Sequence, residues 1–198
     1  MYVKILLVLI VLYFILLFLV TCFVFCRCMI IRRLFLDTVN VLNDNGINYW
    51  VDFGTLLGIC RDGDIIMGDD DADICIPSTE ENKLESALSN SGLVWRKFDW
   101  GAFRTYKKFF GKEYFTDIFI AKKNKIHYQI PSAEDTPIEL LTDINLENVM
   151  LGDHSVKIMI PKRREELLEF RYGKKWKIPL KKWYLFYNSF LDVKIPHN

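Results

Sequence analysis

The 198 residues hold no Walker loop and no G-x-G-x-x-G run, so neither a P-loop cradle nor a dinucleotide fingerprint is present. No Cys/His cluster stands at zinc spacing. Cys22, Cys26 and Cys28 lie in or beside an apolar N-terminal run, where acylation and plain packing are both open readings. That leaves Cys60 and Cys75, each among apolar neighbours, as buried thiols rather than a disulfide. No internal repeat or low-complexity segment follows the N-terminal run. Net charge is only +1, so bulk charge names no partner. With 51% hydrophobic and 26% charged residues, the chain has the composition of a folded domain, not a disordered one.

Charge is also missing from Ile5 to Cys26, "ILLVLIVLYFILLFLVTCFVFC". At about 1.5 Å per residue, a helix of that length spans the roughly 30 Å hydrocarbon core of a bilayer. A secretory signal is the rival, but its apolar region is about 7–15 residues and ends at a small-residue cleavage site. No such site precedes Arg27. The expected organisation is a membrane anchor over 1–28 and a catalytic domain over 29–198. The first makes membrane lipid a partner, in a single-pass protein of an endomembrane or host membrane. Lys4 precedes the run, and Arg27, Arg32 and Arg33 follow it. The positive-inside rule then puts the domain in the cytosol, although so few charges leave orientation open.

What the domain does have is a local asymmetry. Seven Asp and one Arg lie between Asp52 and Asp73, and nine Lys or Arg between Lys162 and Lys182. Together they suit a metal–phosphate ligand; apart, they are two solvated faces. Periodicity predicts a short amphipathic helix over 30–45, stopped by Asn45-Gly46. A strand "INYWVDF" leads into a helix starting at Gly54. "ADICIP" is a strand, and Ser78 and Glu81 form a capping box for the next helix. Several strands follow to Ile130, then a polar loop over 131–148, a strand "SVKIMI" and a helix "KRREELLEFRYG". A further aromatic helix is expected from Pro179 to Phe190. The fold class is α+β with a mixed sheet and flanking helices, because regular β-α-β alternation is absent.

Asp71 and Asp73 leave the same face of a strand, since strand side chains alternate with period two. Ile74 and Ile76 then anchor the strand in a core. Two adjacent carboxylates repel unless a cation lies between them, and Mg²⁺ (or Mn²⁺) takes one or two carboxylates, waters and phosphates. Asp69 is on the same face, just before the strand. Asp69, Asp71, Asp73 and Glu80 also match EF-hand spacing, but Ile74 stands where that loop needs Gly. Gly54 and Thr55 at a helix N-terminus offer N–H groups and a hydroxyl to phosphate.

"YWVDFGTLLGICRDGDIIMGDDDADICI" resembles the signature of the LicD and fukutin/fukutin-related phosphotransferases. "EYFTDIF" and "IPKRREELLEFRYGKKWKIP" resemble that family's later segments, so the resemblance covers most of 47–179. Met67-Gly68 stands where the family has Pro-Trp, and no cysteine-rich insert is present. The resemblance implies a nucleotidyltransferase-like fold and transfer of a phospho-alcohol from a CDP-alcohol donor to a glycan acceptor, releasing CMP. It makes Asp71 and Asp73 the metal pair, with Asp69 as ligand or neighbour, and Asp117 a third carboxylate, either ligand or base. Gly54, Thr55, Arg61 and Arg104 are the substrate-binding candidates, Arg61 alternatively pairing with Asp62 or Asp64. Tyr172, Trp176 and Trp183 either line the acceptor site or belong to the core. A nucleic-acid role is not expected, because Glu165, Glu166 and Glu169 break the basic run. Nucleotidyl transfer from an NTP and a non-catalytic membrane-tethered protein are the alternatives.

Overall fold

The computed structural model of the chain describes residues 2–179, so the helix expected from Pro179 to Phe190, and Trp183 within it, lies outside the described residues. Helix α1 (Tyr2–Asp44) contains both the apolar run and the amphipathic segment expected after it. No Gly or Pro occurs before Gly46, so no residue there forces a break. The helix passes residue 28, the expected domain boundary, without interruption. It is long and apolar enough to cross a membrane, a test that an N-terminal signal sequence also passes. Its second half is core: Ile31, Phe35, Val39 and Leu42 are fully buried at three- and four-residue steps.

The domain is built on a seven-stranded sheet. Strand β1 (Trp50–Val51) is short, and β2 (Asp71–Pro77) pairs with it antiparallel. Strands β3 (Trp95–Phe98), β4 (Ala102–Phe109) and β5 (Lys112–Lys123) follow, in the spatial order β1-β2-β5-β4-β3. Only β2 and β5 run parallel; the other pairs are antiparallel. The crossover between them carries α3 (Glu81–Asn90), which precedes β3. Strands β6 (His127–Gln129) and β7 (Thr136–Pro137) extend the end of β5. A separate ribbon pairs β8 (Ile144–Leu151) with β9 (His154–Pro161). Two further helices are α2 (Phe53–Arg61) and α4 (Arg164–Tyr172).

Two local expectations are corrected. Residues 131–148 are not all loop: β8 begins at Ile144, a strand whose apolar residues are diluted by Asn and Glu. Ser78 and Glu81 form no capping box, because Ser78–Glu80 is a tight 3-10 turn and α3 starts without a side-chain cap. The mixed α+β class holds.

The sheet separates two faces by the alternation of its strands. On one, Ala72, Ile74, Ile76 and Ile118 are buried in the core. Helix α1 packs on that face, and Thr38 and Thr105 share a hydroxyl hydrogen bond of 2.8 Å. The other face carries Asp71 and Asp73 of β2, Phe115 and Asp117 of β5, and Arg104 of β4. Register aligns Asp73 with Asp117 and Asp117 with Arg104, so these three form one row across adjacent strands.

Candidate active site

Helix α2 reaches this carboxylate face at its N-terminus. A Cβ on Gly54 would lie 3.3 Å from Asp69 Oδ2 and 4.0 Å from Asp73 Oδ2. The missing side chain thus lets the first turn approach two carboxylates. Thr55 is buried, and its hydroxyl accepts the Asp73 N–H at 2.7 Å. Expected as a phosphate contact, Thr55 here fixes the strand that carries Asp73. The second glycine of "GTLLG" has a separate reason: a Cβ on Gly58 would come within 2.5 Å of the Asp64 carbonyl oxygen. It keeps α2 flush against the acidic loop.

The N-cap of α2 is Asp52, fully buried. It accepts the Phe53 N–H at 2.7 Å and the Trp50 indole N–H at 3.1 Å. Arg171 of α4 donates to both its oxygens, at 3.1 and 2.8 Å, with 6% of its side chain exposed. The acidic and basic segments therefore meet here, through one buried ion pair. Arg171 also stacks 4.6 Å over Phe53, whose φ of +50° is left-handed. Nothing local in the sequence marks this pair, which is 119 residues apart.

Asp117 and Arg104, expected as separate contacts, are joined by a bidentate ion pair of 2.6 and 2.7 Å. The Arg104 guanidinium also lies 3.4 Å over the Phe115 ring. Arg61 takes the local option and donates to both Asp62 oxygens, at 2.9 and 2.7 Å. Trp176 is core, whereas Tyr172 is half-buried. Burial first, then Asp73 and Asp52, pushes the Tyr172 hydroxyl well up.

Asp71 and Asp73 have no such compensation. Burial, then the charges of Asp69, Asp117 and Asp70, pushes the Asp71 carboxyl up to about 7, against a smaller opposing effect of Arg104. Asp73 is pushed well above the carboxylate range by burial and by Asp71. Crowding of this kind is what a hard dication relieves. Among the described residues, no three His, Cys, Asp or Glu side chains gather closely enough to enclose an ion by themselves. The donors present fit Mg²⁺ held by one or two carboxylates, with waters and phosphate completing its shell, not an all-protein cage. An EF-hand is excluded, since Asp71 and Asp73 lie in a strand paired along its length with β5.

The loop before β2 is tied to α1. Arg27 donates to the Gly68 carbonyl at 2.8 Å and the Asp69 carbonyl at 3.2 Å, and pairs with Asp70. Lys112 reaches Asp70 from the other side at 2.6 Å. Arg32 pairs with Asp64. Arg27 and Arg32, two of the three arginines that topology rules count as free charges, are thus internal clamps on the acidic loop, whereas Arg33 is exposed and pairs with Asp37 of its own helix. Gly68 sits at φ +104°, strained for any L side chain, so a tryptophan there would need another backbone.

A family model described as "LicD/FKTN/FKRP, nucleotidyltransferase domain" matches residues 46–162. Uncharacterized protein RP689 of Rickettsia prowazekii is 36% identical over 95 residues, covering 47% of this chain and 34% of that protein. Ribitol 5-phosphate transferase FKRP, from Mus musculus and from Homo sapiens, is 37% identical over 67 residues, covering 30% of this chain and 14% of FKRP. The chain thus spans about a third or less of these relatives' lengths. Among solved structures, the antibiotic-resistance factor ANT(2'')-Ia aligns at TM-score 0.46 and 15% identity, over 77% of this chain and 76% of its own. The lincosamide adenylyltransferase LnuA aligns at 0.44 and 18%, over 68% and 81%. At such scores neither bears on activity.

Proposed function

The chain belongs to the LicD/FKTN/FKRP nucleotidyltransferase-domain family, whose members point to transfer of nucleotidyl or phosphate-type groups, and from that premise we propose a finer activity. The protein is a membrane-anchored, Mg²⁺-dependent phosphotransferase. It moves a phospho-alcohol, such as phosphocholine or ribitol phosphate, from a CDP-activated donor to a glycan hydroxyl. The observation carrying this reading is the crowded Asp71–Asp73 pair, facing a helix N-terminus trimmed to glycine at Gly54.

In this reading Asp71 and Asp73 hold the ion, with Asp69 beside them. Bound there, Mg²⁺ would neutralise pyrophosphate charge as it moves onto departing CMP. Gly54 admits phosphate oxygens to the first turn of α2. Thr55 and Asp52 hold strand and helix in fixed relation, so the site is organised before substrate arrives. The acceptor oxygen attacks the phosphorus that bears the alcohol, and the bond to the CMP oxygen breaks. Asp117, fixed by Arg104, is the carboxylate next to Asp73 and the candidate to take the hydroxyl proton.

The test incubates the full chain with Mg²⁺, a pool of CDP-alcohols and candidate glycans, and follows CMP and the product mass. CMP release coupled to a mass gain of one phospho-alcohol supports the reading. Pyrophosphate release from an NTP, with nucleotide added to the acceptor, would replace it by nucleotidyl transfer. Absence of Mg²⁺ and CDP-donor binding in calorimetry would leave a non-catalytic tethered domain.

A further inference from the structure

Phe110 is 85% exposed, more than any other large apolar side chain among the described residues. It occupies the tip of the β4–β5 hairpin, where Phe109 pairs with Lys112 and only Phe110 and Gly111 form the turn. Their φ values are +48° and +77°. A two-residue turn with both φ positive favours Asn-Gly or Gly-Gly, because an aromatic Cβ is strained there. A strained, exposed aromatic at such a position is an outlier that calls for a function.

The position of the tip along α1 supplies one. Thr38 of α1 and Thr105 of β4 share a hydrogen bond, which gives both elements a common origin. From Thr38 back to Arg27 the helix falls about 16 Å at about 1.5 Å per residue. From Thr105 on to Phe110 the strand covers about 17 Å at about 3.4 Å per residue. Both descend the same way: Arg27 lies 5.8 Å from the Tyr114 ring near the hairpin end, and Asp70 joins Arg27 to Lys112. The tip is therefore level with the first charge after the apolar run. Met67, 64% exposed, is one residue from the Gly68 carbonyl that Arg27 holds. Val20 and Val24, inside the apolar run, are already only partly exposed and Cys28 is buried, so no spacer separates domain from anchor.

We propose that the hairpin tip at Phe110, with Met67 beside it, is a second membrane contact that enters the interface of the bilayer spanned by α1. Apolar side chains such as Phe and Leu on interfacial segments are buried at the boundary of headgroups and acyl chains. The occupant is lipid, because the apolar run fixes which surface lies at this level. The inference rests on the anchor reading of α1.

The experiment places p-benzoyl-phenylalanine at Phe110 or at Ile126 in the full chain, reconstituted in phosphatidylcholine vesicles. Ile126 is 64% exposed and follows the far end of β5, about 36 Å from the tip at about 3.3 Å per residue. After irradiation, lipid adducts are measured by mass spectrometry. Adducts several-fold more abundant at position 110 are expected. Carbonate extraction of the same vesicles tests the anchor independently. Protein retained in the membrane with equal adducts at both positions overturns the tip contact and leaves the anchor. Protein released by carbonate overturns both.

Discussion

Asp64 and Asp70 on the loop, and Asp71 and Asp73 on the strand, lie within ten residues of one another and have opposite surroundings. Each loop carboxylate meets an arginine of α1: Arg32 for Asp64, Arg27 for Asp70. Each strand carboxylate is dominated by burial and by other carboxylates. Asp52 is a third case, wholly buried yet fully matched by Arg171. Asp52, Asp64 and Asp70, each matched by an arginine, are already satisfied and serve architecture, whereas Asp117 keeps its place in the carboxylate row although Arg104 pairs with it. An unpaired, crowded carboxylate is held ready for a cation, at a cost in stability that a bound cation or a proton removes.

The difference is sharpest for Asp71 and Asp73. Asp71→Asn or Asp73→Asn should lower CMP release about a thousandfold or more, the rate equivalent of several kcal/mol of metal charge stabilisation. Full activity in both would end the metal assignment. Stability should respond oppositely. The Asp71 carboxyl is raised to about 7 from an ordinary 3.8, so between those values the folded site keeps a proton the unfolded chain has lost. Its contribution is complete below about pH 4 and is lost as pH rises through about 7. In metal-free buffer the melting temperature should fall over that window, Mg²⁺ should recover it, and Asp71→Asn should flatten the slope. An unchanged slope in the variant would show that crowding at Asp71 is not what the domain feels.

Arg171→Ala should cost about 3–5 kcal/mol, because it strands a buried Asp52. Denaturant unfolding measures it, and a loss within error would contradict the burial described here. Gly58→Ala drives a methyl group into the Asp64 carbonyl and should cost about 1–3 kcal/mol. Its activity should fall only as far as the loop moves. The smallest effect belongs to the loop pair: a double-mutant cycle of Arg32→Ala with Asp64→Asn should give a coupling of about 1 kcal/mol. Activity lost on the loop without stability lost would break the contrast between the two carboxylate groups.

Much of this was legible in residue spacing. The period-two Asp71/Asp73 pair against Ile74 and Ile76 placed the carboxylates on one face and the core on the other. The apolar steps from Ile31 to Leu42 in α1 were readable in the same way. The continuity of α1 was written there too, in the absence of any Gly or Pro before Gly46, yet a change from apolar to amphipathic composition suggests two elements. Long-range pairings were not legible. Asp52–Arg171, Arg27–Asp70 and Arg104–Asp117 are decided by which strands and helices become neighbours, and a charge carries no address in its own sequence neighbourhood. The exposed Phe110 reads as an ordinary strand aromatic until the turn and its φ angles are known.

Helix α1 has one further consequence. A protein whose anchor and domain are joined by a loop can let the two tumble separately. Here a single 43-residue helix contains both the apolar run and a core element under the sheet, so on the anchor reading of α1 the membrane segment and the domain would be one rod. A bilayer thicker or thinner than the apolar run changes the tilt of such a rod. Because Arg27 and Arg32 brace the loop before β2, that tilt turns the carboxylate row with it. If α1 is an anchor, membrane thickness would then set how the carboxylate row is presented above the bilayer.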